Sequence, residues 1–254
     1  MTHDQLTRAL ATLKSARWVD LTHGFEPGIP HYVAFPDEQR EVVTTVEEDG
    51  FLVHRYSHVG QWGTHVDPPS HFIVGGRTLD EVPVEEMLLP LVVLDARDRV
   101  AANPDYVVDR ALVDEHELRY GPIPEGAFVA FASGWSARWP SSDAMANRGS
   151  DGVAHYPGWS VEALTWLVEE RGVRAVGHEQ TDTDPGTALS VGRVDAERYL
   201  LGADRWQIEM LTNLDQVPPR GALILASWPK PRAGSGFPAR CVALVPRGDA
   251  ARSD

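Results

Sequence analysis

One short stretch of the chain combines metal-ligand side chains with residues that restrict the backbone, and it limits how the rest can fold. It reads Gly60-Gln61-Trp62-Gly63-Thr64-His65-Val66-Asp67-Pro68-Pro69-Ser70-His71-Phe72. Glycine lets a backbone approach a ligand closely, and the Pro68-Pro69 pair fixes the path between Asp67 and His71. The fold must therefore support a stiff, polar segment at a defined position.

The spacing of His65, Asp67 and His71 is compatible with metal chemistry. His65 and Asp67 are separated by one residue, so they lie on the same side of an extended segment and can reach one ion. Neutral imidazole and carboxylate oxygen suit zinc or manganese, and such an ion lowers the pKa of water. His71 can then serve as a proton carrier rather than a ligand. The alternative from spacing alone is a loop whose histidines are satisfied by hydrogen bonds.

Composition excludes some partners. The chain has 254 residues, with 37 acidic and 23 basic side chains and a net charge of −14. Phosphate and anionic lipid would be repelled by such a surface, so we predict no nucleic-acid partner and no membrane partner. We predict a single domain spanning residues 1–254, in which residues 1–18 form an N-terminal helical extension.

The predicted location is the cytoplasm. Cys241 is the one cysteine, so no intramolecular disulfide can form, which suits a reducing compartment. The N-terminus lacks the basic start and the apolar core of a signal peptide. The longest apolar run, Met87 to Leu94, is interrupted by Pro90 and is too short to span a bilayer.

Hydrophobic periodicity predicts one mixed α/β domain, because strands outnumber helices without alternating strictly with them. The predicted helices are Gln5–Ser15, Asp109–Leu118, Ser160–Arg171 and Ala196–Leu201, with a short helix near Met87. The predicted strands are Trp18–Leu21, Arg40–Glu47, Phe51–Val59, Leu91–Asp95, Ala127–Phe131, Val173–Gly177, Ala222–Ala226 and Cys241–Val245. Arg138 to Gly158 is predicted to be a long surface loop.

Other polar and aromatic residues are candidates for lining or supporting the site. His178, Glu179, Asp182 and Asp184 follow the strand Val173–Gly177, and ligands often bind at the carboxyl end of such a strand. Trp62 is a candidate for stacking on a planar substrate, or it is a core residue. His23 and His58 either line the site or form local hydrogen bonds.

The stretch Gly63 to His71 resembles the signature of the cyclase family of metal-dependent hydrolases, which includes bacterial kynurenine formamidase and isatin hydrolase. Further landmarks of that family are matched by Asp20-Leu21-Thr22-His23, residues 177–184, residues 208–214 and residues 234–240. The resemblance therefore covers nearly the whole chain.

This resemblance implies a swivelling β/β/α fold and hydrolysis of a C–N bond in a small amide, cyclic imide or lactam. It implies that His65 and Asp67 bind the metal, that Glu209 completes the shell, and that His71 is the general base or acid. It also implies a homo-oligomer, which we expect to be a homodimer or a homotetramer.

Two positions depart from the family pattern. Members usually place a histidine at the position of Gln61, and the two-zinc formamidases place one at the position of Glu197. Gln61 is an alternative metal ligand here, a harder and weaker one than imidazole, with His58 or water as the substitutes. The absence of both imidazoles argues against two zinc ions, so we predict one divalent ion, Mn²⁺ or Zn²⁺. For the same reason we do not expect kynurenine formamidase activity.

Two other functions stay open on the sequence alone. The same metal site could serve a cyclase, a dehydratase or a lactonase of a biosynthetic pathway, which product analysis at equilibrium would separate from hydrolysis. A non-catalytic metal or small-molecule binding protein is the third reading. An intact His71 beside the ligand pair speaks against that reading, because pure binding needs no proton carrier.

Overall fold

The computed structural model describes residues 2–247 of the chain. Within this range there are thirteen strands: β1 (Arg17–Asp20), β2 (Gln39–Thr44), β3 (Val53–Ser57), β4 (His65–Asp67), β5 (Leu88–Asp95), β6 (Val107–Val108), β7 (Phe128–Ala132), β8 (Gly158–Trp159), β9 (Ala175–His178), β10 (Trp206–Glu209), β11 (Ala222–Ser227), β12 (Phe237–Pro238) and β13 (Arg240–Val245).

The same residues form eight α-helices: α1 (His3–Ser15), α2 (Val46–Asp49), α3 (Arg97–Ala102), α4 (Arg110–Tyr120), α5 (Ser142–Ala146), α6 (Val161–Thr165), α7 (Gly186–Leu189) and α8 (Asp195–Gly202). Four 3₁₀ helices cover Pro69–His71, Val84–Met87, Trp135–Arg138 and Leu214–Gln216, and α6 continues as a π-helix over Trp166–Glu170. Across residues 2–247, every helix is too short or too polar to cross a bilayer.

Nine of these strands form one mixed sheet in the order β1-β13-β11-β5-β7-β9-β10-β4-β12. The central strands β5, β7, β9 and β10 are parallel, and the strands on either side of them are antiparallel. Two small sheets, β2–β3 and β6–β8, lie outside it. This architecture confirms the predicted single-domain α/β class with a mixed sheet.

The central strands are buried on both faces, as parallel strands usually are. Along β7, Phe128 and Ala130 pack into one hydrophobic core, and Val129 and Phe131 pack into a second core on the opposite face. Successive side chains of a strand point to opposite faces, so a continuous apolar run serves both cores. Gly177 on β9 is tightly enclosed, because a Cβ there would lie 2.5 Å from the ring of Phe128.

The predicted elements are largely present, with differences in several short elements and in one predicted loop. The predicted strand Arg40–Glu47 ends at Thr44, because the Thr45 side chain accepts a hydrogen bond from Glu48 N and caps α2. The segment predicted as a surface loop, residues 138–158, contains α5 and buries Met145 and Tyr156, so that prediction was wrong in part.

Further differences concern short strands and the N-terminal helix. β4 and β10 were not predicted, because each is short and at least half of its residues are polar. Helix α1 forms as predicted, with a capping box at Thr2 and Gln5, but none of its residues is buried. Leu6 and Leu10 are exposed on it.

Candidate metal centre and active site

The centre of the candidate site is the antiparallel pair β4–β10. His65 lies opposite Glu209 in this pair, and Asp67 lies opposite Gln207. Alternate residues of a strand share one face, so all four side chains project from the same side of the sheet. All four are buried. The register of two short strands therefore places one imidazole, two carboxylates and one amide together in the protein interior.

His65 is oriented for metal binding. Its Nδ1 donates a hydrogen bond to the carbonyl oxygen of Gly63 at 2.8 Å, which leaves the lone pair on Nε2. Nε2 is buried without a hydrogen-bond partner, 3.3 Å from Asp67 Oδ2 and 3.5 Å from Glu209 Oε2. One ligand atom from each of these three residues lies within 4.8 Å of the others. The donors fit a divalent ion, since an orphaned imidazole nitrogen faces two carboxylate oxygens.

The electrostatics of the site favour a cation. Burial raises the pKa of Glu209 well above its usual value, and the neighbouring charges of Glu197 and Asp67 raise it further. Burial also opposes the ionisation of Asp67, but the nearby imidazoles of His65 and His71 and the hydrogen bond from Gln61 hold its pKa below the usual value. Within residues 2–247, no lysine or arginine forms a salt bridge with Asp67, Glu197 or Glu209. A bound cation would relieve this crowding of negative charge.

Glu209 uses its two carboxylate oxygens differently. Oε2 faces His65, whereas Oε1 lies 3.5 Å from His178 Nε2 and 3.1 Å from Gln207 Nε2. Trp159 Nε1 donates to His178 Nδ1 at 3.4 Å, so the ring proton of His178 is on Nε2, towards Glu209. Burial lowers the pKa of His178 to about 3, which keeps it neutral. The Nε2 atom of His178 therefore faces Glu209 Oε1 without forming a hydrogen bond to it.

Gln61 lies against Asp67 as a hydrogen-bond donor. Its Nε2 donates to Asp67 Oδ1 at 3.0 Å and to the carbonyl oxygen of Ser235 at 2.9 Å. The same nitrogen is 3.4 Å from His71 Nδ1. The side chain fits only because residue 236 is glycine, since a Cβ there would lie 1.9 Å from Gln61 Nε2. Gln61 thus presents its nitrogen to the site, which corrects the reading of it as an oxygen ligand.

A second group of ligand-type side chains overlaps the first. Asp67, His71 and Glu197 each offer a ligand atom within 4.8 Å of the others. Glu197 lies in the first turn of α8, and Asp184 accepts hydrogen bonds from the backbone nitrogens of Ala196 and Glu197 at 2.9 and 3.0 Å. Asp184 therefore positions Glu197 rather than lining the site itself, and Asp67 belongs to both groups.

Two candidates from the sequence, Glu179 and His23, contact loops around the site. Glu179 accepts hydrogen bonds from Ser136 Oγ at 2.7 Å and from Gly134 N, so it holds the loop after β7. His23 stacks on Trp139 with ring centroids 4.3 Å apart, and its backbone nitrogen donates to Thr64 Oγ1 at 3.0 Å. Burial lowers the pKa of His23 to about 4.

The two remaining candidates are not placed as stacking surfaces or ligands. Trp62 is completely buried, and its Nε1 donates to Glu38 Oε2 at 3.3 Å. A side chain with no exposed face cannot stack on a substrate, so that prediction is corrected and Trp62 is a core residue. His58 bonds through Nδ1 to the carbonyl of Val59 at 2.8 Å and meets the rings of Phe25 and Phe237 edge-on. It borders the site without touching the carboxylates.

Sequence reasoning missed two buried polar residues, Gln207 and Thr183. Gln207 Nε2 donates towards Glu197 and Glu209, and Gln207 Oε1 accepts from Thr183 Oγ1 at 2.5 Å. A signal was available for Gln207. The segment Trp206-Gln207-Ile208-Glu209 alternates apolar and polar residues, which places the glutamine on the same strand face as Glu209.

The fold and the site together define a metal-dependent hydrolase. Residues 19–185 match the model of the Cyclase family, whose description reads “Putative cyclase”. This match covers more than half of the chain, and the chain belongs to that family. Glu197, Gln207 and Glu209 lie beyond the matched residues, so the second half of the site is known from the structure.

Several proteins to which the chain is similar are isatin hydrolases. The chain is 30% identical over 244 residues to “Isatin hydrolase” of Roseibium aggregatum. The aligned region covers 90% of this chain and 92% of that protein. It is similar to isatin hydrolase A of Labrenzia aggregata bound to benzyl benzoate, with a TM-score of 0.86, 34% identity and coverage of 96% and 99% of the two chains. It is also similar to an isatin hydrolase bound to the product analogue thioisatinate, with a TM-score of 0.88, 27% identity and coverage of 97% and 100%.

Proposed function

We propose that this enzyme hydrolyses the C–N bond of a small cyclic amide, with an isatin-like lactam as the first candidate substrate. One observation carries the proposal: His65 Nε2, Asp67 and Glu209 converge within 4.8 Å in a buried site, beside His71. The similarity to isatin hydrolases over most of the chain supports the lactam as substrate class.

Five polar side chains of the site have a role in this proposal. An ion held by His65, Asp67 and Glu209 would lower the pKa of water and stabilise negative charge on the carbonyl oxygen. His71 takes a proton from the attacking water as the water oxygen bonds to the carbonyl carbon. It returns this proton to the departing nitrogen, which lets the C–N bond break. Gln61 holds Asp67 in place through the 3.0 Å hydrogen bond to Oδ1.

We propose one divalent ion per site and favour Mn²⁺ over Zn²⁺. His65 is the one imidazole in the proposed ligand group, and the other two donors are carboxylates. Carboxylate and other oxygen donors suit manganese, whereas zinc in proteins is usually bound by several nitrogen or sulfur donors. Elemental analysis of the purified protein, followed by competition between the two ions for the metal-free protein, tests this proposal. Preferential retention of zinc would contradict it.

We further propose that the protein is a homodimer joined by the hairpin arm, defined here as β2, α2 and β3. An isolated two-stranded sheet is only marginally stable in water. Exposed large apolar side chains of the arm support the proposal, namely Val42, Val43, Val46, Phe51, Leu52, Val53 and Tyr56. Light scattering coupled to gel filtration measures the mass directly, and a monomer at micromolar concentration would contradict the dimer.

We also keep the cytoplasm as the proposed location. Within the described residues Cys241 is free and buried, which suits a reducing compartment. Fractionation of the producing cells tests this location, and recovery of the protein from the cell exterior would contradict it.

The function is tested by a substrate panel with metal-free and metal-loaded protein. Isatin, a cyclic imide, a lactone and a formamide are incubated with the enzyme, and ring opening is followed by absorbance and product mass. We expect turnover of the lactam, loss of activity in EDTA and its return with Mn²⁺. Starting the assay from the open acid distinguishes hydrolysis from cyclisation. Metal bound at one ion per chain without turnover of any substrate would overturn the proposal.

A further inference from the structure

Gln207 is a fully buried amide whose nitrogen is surrounded by carboxylates. It lies in β10, directly opposite Asp67 on β4. Its Nε2 is 2.9 Å from Glu197 Oε1, 3.1 Å from Glu209 Oε1 and 3.4 Å from Asp67 Oδ2. An amide nitrogen carries two protons, so it can form at most two good hydrogen bonds among these three acceptors.

The orientation of this amide is fixed from the opposite end. The hydroxyl of Thr183, which is also buried, donates to Gln207 Oε1 at 2.5 Å. A flipped amide would lose this bond and would direct its carbonyl oxygen at three carboxylate groups. The NH₂ group therefore faces the carboxylates, and Gln207 cannot rotate away without leaving several buried polar atoms unsatisfied.

Glu209 presents different oxygens to Gln207 and to the proposed metal, whereas Asp67 Oδ2 faces both Gln207 and His65. Glu209 Oε1 faces Gln207, whereas Glu209 Oε2 faces His65 at 3.5 Å. Glu197 Oε1 is bound to Gln207 and lies outside the group formed by His65, Asp67 and Glu209. The amide nitrogen thus lies among three carboxylates and shares Asp67 Oδ2 with His65. A divalent cation would find a suitable oxygen cage in that place if the amide were removed.

We propose that the Gln207 amide occupies the place a second cation would need among the three carboxylates, and so limits the site to one ion. Its hydrogen bond to Glu197 also withdraws that carboxylate from the overlapping group of Asp67, His71 and Glu197. This inference rests on the one-metal site proposed above. Gln207 acts as a positioning residue. Its NH₂ group donates hydrogen bonds to Glu197 Oε1 and Glu209 Oε1, which leaves Glu209 Oε2 free for the first ion. The number of ions is therefore set by a side chain that binds none of them.

The test compares wild type, Gln207→Ala and Gln207→Met by titration calorimetry of metal-free protein with Mn²⁺ and by elemental analysis after dialysis. We expect one ion per chain in wild type. Gln207→Ala removes the donor and opens the space, so it should take up a second ion. Gln207→Met fills the space without a donor, so it should keep one ion and bind it about tenfold more weakly, a usual effect of losing a group that orients metal ligands.

The outcomes separate this inference from the proposed function. Two ions in wild type would overturn it, as would one ion bound with unchanged affinity in Gln207→Ala. No ion in wild type would instead overturn the proposed function. Circular dichroism confirms folding of each variant. If Gln207→Ala does not fold, Gln207→Ser gives the same space, and a second ion or an unchanged affinity in Gln207→Met would by itself contradict the inference.

Discussion

Two of the antiparallel strand pairs in the protein have opposite chemistry. The pair β4–β10 carries His65, Asp67, Gln207 and Glu209 and is buried within the large sheet. The hairpin arm, β2 to β3, carries valines, a leucine and aromatic residues and is largely exposed. Burial of charge and exposure of large apolar surface both cost free energy unless a partner compensates. We propose a cation as the partner of the first pair and a second copy of the chain as the partner of the second pair.

The largest effect is expected from removing a carboxylate of the buried pair. Asp67→Ala should abolish metal binding and lower kcat/KM by about 10³-fold or more, because an activating cation contributes several kcal/mol. Metal content and hydrolysis rate measure this. Glu41→Ala is the matched control, since it removes an exposed carboxylate of the hairpin arm, which pairs with Arg55. A metal-loaded, fully active Asp67→Ala variant would break the distinction between the two pairs.

The hairpin arm should respond to added charge through association. Val42→Lys with Phe51→Lys places two ammonium groups on the exposed apolar side chains of the arm and should raise the dimer Kd by tenfold or more, about 1.4 kcal/mol at least. Analytical ultracentrifugation across a concentration series measures this. Leu118→Lys, at an exposed leucine of α4, is the control and should leave Kd unchanged. An equal rise of the dimer Kd in both variants would show that the hairpin arm is not the dimer interface.

A smaller effect is expected where the site meets the loop before β12. Gly236→Ala would place a Cβ 1.9 Å from Gln61 Nε2, so Gln61 must move and its hydrogen bond to Asp67 is lost. We expect metal affinity to fall about tenfold, measured by calorimetry. Gly24→Ala is the control, because a Cβ there meets nothing within 4 Å. Unchanged affinity in Gly236→Ala would show that Gln61 does not orient Asp67.

The smallest effect concerns a buried imidazole beside the site. Burial lowers the pKa of His23 to about 4 from 6.5, so the unfolded chain takes up the proton first as pH falls. The stability that the neutral ring provides is complete above pH 6.5 and is lost as pH falls from 6.5 to 4. His23→Phe keeps the stacking on Trp139 and should remove about 1 kcal/mol of this pH dependence, a value reduced for partial exposure.

Urea unfolding of wild type and His23→Phe at pH 7 and pH 4.5 measures this difference. Other titrating groups contribute equally to both proteins, so the comparison isolates His23. Parallel loss of stability in the two proteins would contradict the role assigned to its burial.

The chain itself determined much of the site because the relevant pattern is local. His65 and Asp67 lie two residues apart, so any extended backbone places them on one side. The Pro68-Pro69 pair then starts the 3₁₀ helix that holds His71. The parallel strands were predictable for a similar reason, since a run such as Ala127–Phe131 must be buried on both faces. Resemblance to the family added Glu209, which no local pattern connects to His65.

Only the tertiary structure decided which distant residues complete the site. Asp67 and Gln207 are 140 residues apart in sequence and become neighbours through the β4–β10 register. The tertiary structure also decided the roles of Trp62 and Gln61, because both depend on packing between distant segments. Trp62 is completely buried, and Gln61 fits only because residue 236 is glycine, where a Cβ would lie 1.9 Å from Gln61 Nε2. Sequence spacing fixes directions along one strand, whereas pairing register and burial arise from contacts across the whole sheet. The type of chemistry was therefore readable from residues 60–72, and the amide that we propose limits the metal count was not.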